Sequence, residues 1–172
     1  MTIRRNSMEL TAKRLRELMN YDAEIGVFTW KKPRPGARHK SGLIAGSPLK
    51  AGYLQIGIDG RKYRANRLAW LFVHGRWPSA TIDHKNGNAF DNSLSNLREA
   101  THRENQQNAK RRSDSVSGLK GVGWIPGAKK WRARIKVDGR EVSLGQFNSA
   151  AEAYVAYCNA AEKYHGKFSR FA

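Results

Sequence analysis

The sequence predicts an α+β protein in three parts: a β-rich N-terminal extension, a central strand–loop–strand–helix region, and a small three-stranded antiparallel sheet packed on one helix. Three observations lead there. Asp-Gly dipeptides at 59–60 and 138–139 each sit between runs of alternating apolar residues, the pattern of a tight β-hairpin. Thr101 with Glu104, and Ser149 with Glu152, are capping-box pairs that open helices. A small, polar stretch, SDSVSG at 113–118, reads as a linker. The expected parts are therefore 1–52, 53–112 and 119–172, with the linker between the last two.

Taken in order, residues 8–20 (MELTAKRLRELMN) place Leu15, Leu18 and Met19 on one face of a short helix. YDAEIGVFTWKK then alternates from Ile25 through Val27 and Phe28 to Trp30, as a strand or hairpin does. Residues 33–48 are rich in Pro, Gly, Lys and Arg and read as a basic loop. GYLQIGIDGRKYRANRLAW carries the first Asp-Gly turn, and His74 falls between strand-like stretches. A strand, an Asn-rich loop, a short strand and a helix of about 102–112 follow, the helix opened by the Thr101 box. Strands at 119–125, 130–137 and 140–147 lead into a helix of about 16 residues that Gly166 ends.

The chain has 172 residues, 40% of them apolar, enough to bury a core. It carries 32 Lys and Arg against 14 Asp and Glu, a formal charge of +18. The excess is spread along the length, with 11 basic against 4 acidic side chains in residues 1–50, 11 against 5 in 51–112, and 10 against 5 in 113–172. Such a profile predicts a polyanionic partner laid along the chain, with counterion release driving the binding. No apolar run approaches the roughly 18 residues that span a bilayer, and MTIRRNSMEL has no apolar core of a signal peptide, so neither membrane insertion nor secretion is expected. Cys158 is the only cysteine, which excludes a disulfide framework and cysteine-pair zinc sites. A bound metal would have His, Asp, Asn or Glu ligands, a set that suits a hard divalent ion such as Mg²⁺.

Residues 83–108 gather what phosphodiester hydrolysis requires: a base, oxygen ligands for a Lewis acid, and groups to position them. His84 can accept a proton at neutral pH. Asp83, its neighbour on an extended chain, faces the other way and can serve a metal. Asn96 lies 12 residues after His84, and Asn105 a further 9 on, where a two-strand turn followed by a helix would bring it back towards Asp83. Singly, an Asp-His pair or an Asn-Gly-Asn run is ordinary turn chemistry; the combination points to cleavage.

Residues 53–108, through NRLAWLFVHGRWP, IDHKNGNAFDNSLSNLREAT and HRENQQN, resemble the HNH endonucleases of phages and mobile introns, as does the preceding YDAEIGVFTWKK. The resemblance implies a ββα-metal nuclease fold and a phage-encoded enzyme working in the cytoplasm of a bacterial host. It implies that His84 is the general base, that Asp83 and Asn105 hold one divalent metal (Mg²⁺, with Mn²⁺ as the other choice), and that Asn96 braces the loop carrying His84. The third family position is often His and is Asn105 here; the residue before Arg67, commonly His, is Asn66. His74 and His102 are assigned structural or phosphate-contact roles, and His39 and His165 none.

In 130–137, Trp131, Ala133, Ile135 and Val137 alternate with Arg132, Arg134 and Lys136, giving one apolar and one basic face. Ala153, Ala156, Ala160, Tyr157 and Tyr164 are the expected helix residues packed on the apolar face. LKGVGW, KKWRARIKVDG, VSLGQFNSAAEAYVAYCNAA and HGKFSRF resemble the APETALA-two/ethylene-response-factor DNA-binding domain. That resemblance implies a sheet laid in the major groove of double-stranded DNA, with Lys120, Trp124, Arg132, Arg134 and Lys136 in contact. Gly123 and Ile125 stand where the plant domains carry further arginines, so a target sequence does not carry over. The expectation is a monomeric, site-preferring, nicking endonuclease for double-stranded DNA. The competing readings are a catalytically inactive DNA-binding regulator and a binder of structured RNA.

Overall fold

The computed structural model describes residues 9–32, 42–49, 52–108, 116–169 and 171. The chain forms two compact units, Met1–Glu99 and Ala100–Ala172; among the described residues the first holds small sheets and two short helices, and the second holds one three-stranded sheet and its helices.

In the first unit, helix α1 (Ala12–Leu18) starts where the Thr11 hydroxyl accepts the Arg14 N–H at 3.1 Å. It is shorter than the 8–20 helix expected. Met19 is already extended and opens strand β1 (Met19–Asp22), which pairs with β2 (Val27–Trp30) from Met19↔Trp30 to Asp22↔Val27. Met19 is buried like Leu15, so the burial read from the sequence stands while the backbone beneath it differs. In the turn between these strands, Asp22 Oδ1 accepts the N–H groups of Glu24 and Ile25 at 3.0 and 3.2 Å.

Strand β3 (Ser47–Pro48) lies on β4 (Leu54–Ile58), which pairs with β5 (Arg61–Arg64). The β4–β5 turn holds Asp59 and Gly60 at φ of 48° and 79°, both left-handed as a type I′ hairpin needs. Helix α2 (Ala65–His74) follows directly and stops at Gly75, φ 74°, whose N–H returns to the Leu71 carbonyl. His74 is thus the last residue of a helix, not a residue between strands. The aromatic and β-branched run WLFV gives the segment a strand-like composition, but Ala65, Leu68, Ala69 and Leu71 repeat at helical spacing and are buried.

Strands β6 (Thr81–His84) and β7 (Leu97–Ala100) make the last sheet of this region, joined by a loop and a single 3₁₀ turn, Leu94–Asn96. One core joins Leu15, Met19, Phe28, Ile56, Ile58, Leu68, Leu71, Ile82 and Leu97. Asn66 of α2 is buried and its amide donates to the Ile82 carbonyl at 3.4 Å, tying α2 to β6.

In the second unit, helix α3 (His102–Gln107) opens on the complete Thr101–Glu104 box. The helix ends at Gln107 with Asn108 as its C-cap; residues 109–112 of the expected helix, and 113–115 of the expected linker, lie outside the described residues, as does most of the 33–48 loop. Strands β8 (Val122–Ile125), β9 (Lys130–Val137) and β10 (Arg140–Phe147) form a sheet with β9 central, and helix α4 (Ala150–His165) packs on it. The first strand starts at Val122 rather than 119. Ala153, Tyr157, Ala160 and Ala161 are buried against the sheet, whereas Tyr164 is exposed, because it falls on the outer side of α4.

Glu99 closes the exit of α2: its carboxylate accepts both guanidinium N–H groups of Arg76 at 3.2 Å and the Ser79 N–H at 2.6 Å. The Arg76 hydrogen bonds, followed by those from Ser79, hold its pKa at about 2, well below the ordinary value near 4.5. A depressed folded pKa stabilises above the unfolded value and is lost as pH falls through the folded one. The melting temperature of Glu99→Gln is therefore expected to trail wild type at pH 6, with the gap narrowing below about pH 5 and closing near pH 2. A gap unchanged with pH would contradict the assignment.

Candidate active site and nucleic-acid face

Strand β6 ends with two ionisable residues that are both inside the protein, Asp83 4% and His84 5% exposed. On a pleated strand they face opposite ways, so each meets its own partners. Asp83 Oδ2 accepts Nε and Nη2 of Arg98, from the paired strand β7, at 2.8 and 2.7 Å. A charge buried to that degree requires such a partner.

His84 Nε2 lies 3.2 Å from Asn92 Oδ1. The Asn92 amide is oriented by its own Nδ2, which donates to the Phe90 carbonyl at 3.2 Å, so the oxygen is the atom that faces the ring. An oxygen there accepts, which puts the neutral imidazole's proton on Nε2 and its basic lone pair on Nδ1. Burial lowers the His84 pKa from its ordinary value; the Asn92 bond and the charges of Asp83 and Asp91 act in the opposite sense. The ring also lies 6.0 Å, centroid to centroid, from Tyr53, over which the Arg64 guanidinium sits at 4.5 Å.

The loop at 85–91 is laced by its own side chains. Asn96 Oδ1 accepts the Asn86 N–H at 3.0 Å, its Nδ2 donates to the Asp91 carbonyl at 2.8 Å, and its carbonyl accepts the Lys85 N–H at 2.9 Å. Asp91 accepts from the Ser93 hydroxyl at 2.7 Å and from Asn86 Nδ2 at 2.7 Å, which keeps its carboxyl below the usual range, the Ser93 hydroxyl contributing most. Asn96 thus ties the loop's two ends, while the direct hydrogen bond on His84 comes from Asn92. The sequence reading missed Asn92 and gave Arg98 no role. Asp91-Asn92-Ser93 looks like turn chemistry on paper, and only burial, 1% exposure for Asn92, separates it from an ordinary turn.

Asn105, the other expected metal ligand, is a half-buried residue of α3 in the second unit. The Asp83 carboxylate and the Asn105 amide oxygen are each hard oxygen donors, the kind that Mg²⁺ and Mn²⁺ prefer. Among the described residues no cluster of three or more His, Cys, Asp or Glu forms a metal site. His74 packs on Trp70 with ring centroids 4.1 Å apart, His102 lies 2.8 Å from the Gln106 amide, and buried His165 places Nε2 3.0 Å from the Lys136 carbonyl. His39 lies outside the described residues.

In the second unit the β9 register gathers Arg132, Arg134 and Lys136 on the face away from α4, beside Gln146, Ser143 and Glu141 of β10. Arg134 pairs with Glu141 at 2.9 Å. Trp124 lies opposite Trp131, its ring 5.0 Å away, on the face of Ala133 and Val122. It is separated from the arginines and 42% exposed. Lys120 Nζ donates to the Gln107 carbonyl at 2.8 Å. Among the described residues no helix is long and apolar enough to cross a membrane.

The sequence model described as HNH endonuclease matches residues 63–107, the stretch from β5 through α3. Over 113 residues the chain is 31% identical to Protein 3.8 of Escherichia phage T7, covering 63% of this chain and 93% of that protein. A solved structure described as DNA binding and cleavage by the HNH homing endonuclease I-HmuI aligns with 89% of this chain and 83% of its own, at 22% identity and a TM-score of 0.44.

Arg98→Met would leave the Asp83 carboxylate inside without its guanidinium. The expected cost is about 3–5 kcal/mol of stability, read as a lower urea midpoint by tryptophan fluorescence. A loss below about 1 kcal/mol would show that the pair is worth no more than a surface bridge.

Proposed function

The chain belongs to the HNH endonuclease family, and on that footing we propose that it is a metal-dependent, site-preferring endonuclease that nicks double-stranded DNA as a monomer. The observation that carries the proposal is the buried Asp83-His84 pair, lying inside the matched segment and oriented by Arg98 and Asn92.

In the proposed reaction His84 takes the proton of the attacking water at Nδ1, since Nε2 is engaged by Asn92. Lowering of its pKa by burial keeps the imidazole neutral, and hence able to accept that proton, at physiological pH. Asp83 and Asn105 are assigned to a divalent ion, the latter on the motif resemblance alone. Such an ion, Mg²⁺ or Mn²⁺, would supply Lewis acidity for the charge developing on the scissile phosphate and the leaving 3′ oxygen. Asn96 keeps the loop beside His84 closed. Arg132, Arg134 and Lys136 are proposed to lie on the duplex, Arg as a reader of guanine edges and Lys as a phosphate contact, with Lys120 in a supporting contact; Trp124, on the opposite face of the sheet, is given no part in that contact. The phage relative supports a phage-encoded protein that works in the cytoplasm of a bacterial host.

Supercoiled plasmid and DNA of the native phage or host are the substrates for the test. Conversion to open circle that requires Mg²⁺ or Mn²⁺, stops with EDTA and is lost in His84→Ala is the expected outcome; linear product as the main species would contradict nicking. Tight binding of the native DNA without cleavage in either metal would make the protein a regulator instead.

For the basic face, Lys136→Ala is expected to weaken binding to duplexes of every sequence and to reduce the slope of log K against log salt by about 1. Arg132→Ala should instead relax discrimination among sequences, at a cost of about 1–3 kcal/mol on the preferred one. Unchanged affinity and slope in both variants would remove this face from the interface.

A further inference from the structure

The N-terminal hairpin makes three contacts with one short segment of the loop that follows His84. Tyr21, from β1, donates its phenol to the Asn92 carbonyl at 2.7 Å. The carbonyl of Ala23, in the β1–β2 turn, accepts the Leu94 N–H at 2.9 Å. Gly26 closes that turn at φ 71°, and a Cβ there would stand 2.2 Å from the Asn92 carbonyl carbon and 2.3 Å from the Ser93 nitrogen. Both are backbone atoms that cannot swing aside, so the hairpin and the loop touch backbone to backbone, and only glycine permits it. The held residue is Asn92, whose side chain engages His84 Nε2.

We propose that Asn92 is the positioning residue of His84, and that the hairpin of β1 and β2 is a clamp that fixes Asn92 from behind. The inference rests on the nuclease reading above and deepens it, giving residues 19–30 a part in the chemistry. The polar contacts of Asn92 leave it little freedom. Its carbonyl is tied to Tyr21, its amide nitrogen to Phe90, and its amide oxygen faces the imidazole. A ring held through one nitrogen keeps the plane and the direction of the other, which is what the geometry of proton abstraction demands. Burial adds to this, since an amide at 1% exposure has no water to take over the hydrogen bond.

The full-length protein is tested by steady-state nicking of a DNA that wild type cuts. Asn92→Leu, similar in shape but without an acceptor, is expected to lower kcat about 100-fold with KM changed less than about twofold. Asn92→Asp, which restores an acceptor oxygen, should recover kcat to within about tenfold of wild type. Tyr21→Phe deletes one hydroxyl and preserves the packing of the ring, and is expected to lower kcat several-fold at unchanged KM. Nitrogen-15 NMR of the imidazoles, assigned by difference against His84→Gln and recorded at a pH where His84 is neutral, provides a readout independent of cutting. Wild type should show the Nε2–H tautomer and Asn92→Leu a mixture of the two. The proposal is overturned by a folded Asn92→Leu with wild-type kcat, by losses in KM rather than kcat, or by an Nδ1–H tautomer in wild type. If wild type cuts no DNA, the nuclease reading falls, and the tautomer measurement alone decides the clamp.

Discussion

A four-residue strand carries a carboxylate and an imidazole into the interior, and most of the first unit's polar architecture follows from that. Burying a charge or a strong hydrogen-bonding group without partners costs several kcal/mol, comparable to the whole stability of a domain. β6 therefore cannot exist alone. It needs β7 beside it to bring Arg98 to Asp83, and it needs the loop between them folded so that Asn92 meets His84. That loop in turn is held by Asn86, Asp91 and Asn96, whose side chains saturate one another and the backbone between them.

The apolar part of the unit serves the same end. Ile82 and Leu97, the inward residues next to Asp83 and Arg98, join the core with Leu68 and Leu71 of α2 and Ile56 and Ile58 of β4. The site is thus pinned from its greasy side by a close-packed cluster that leaves little room for the strands to slide. Asn66 adds a polar pin to the Ile82 carbonyl.

Much of this was legible in the sequence, and what was not has identifiable causes. Asp59-Gly60, Asp138-Gly139 and the Thr101–Glu104 box are local devices whose chemistry is complete within four residues, and the structure has all three. The spacing of Met19 fits a helix and the residue is in a strand, because a position four after Leu15 is buried by either backbone. α2 is hidden in the sequence because WLFV satisfies strand composition while its helical spacing shows only from Ala65 onward. Asn92 was passed over for a different reason: its partners Tyr21 and His84 lie 71 and 8 positions away, and no window of sequence contains the burial that gives it meaning. The resemblance to the plant DNA-binding domain groups Trp124 with the arginines, and the strand register separates them.

The knotting of the 85–91 loop by Asn86, Asp91 and Asn96 has an evolutionary corollary. The three side chains close the loop at its neck, so the tip at 88–90, where the Phe90 side chain is exposed, meets the imidazole's support at one backbone atom, the Phe90 carbonyl that accepts from Asn92. Because the entropy of closing a longer loop grows only slowly with its length, extra residues at the tip are cheap once the neck is tied. Descendants of such a protein can lengthen or rewrite residues 88 and 89, provided the Phe90 carbonyl stays on Asn92, while the proton-abstracting machinery drifts hardly at all. The neck separates what may vary from what must not.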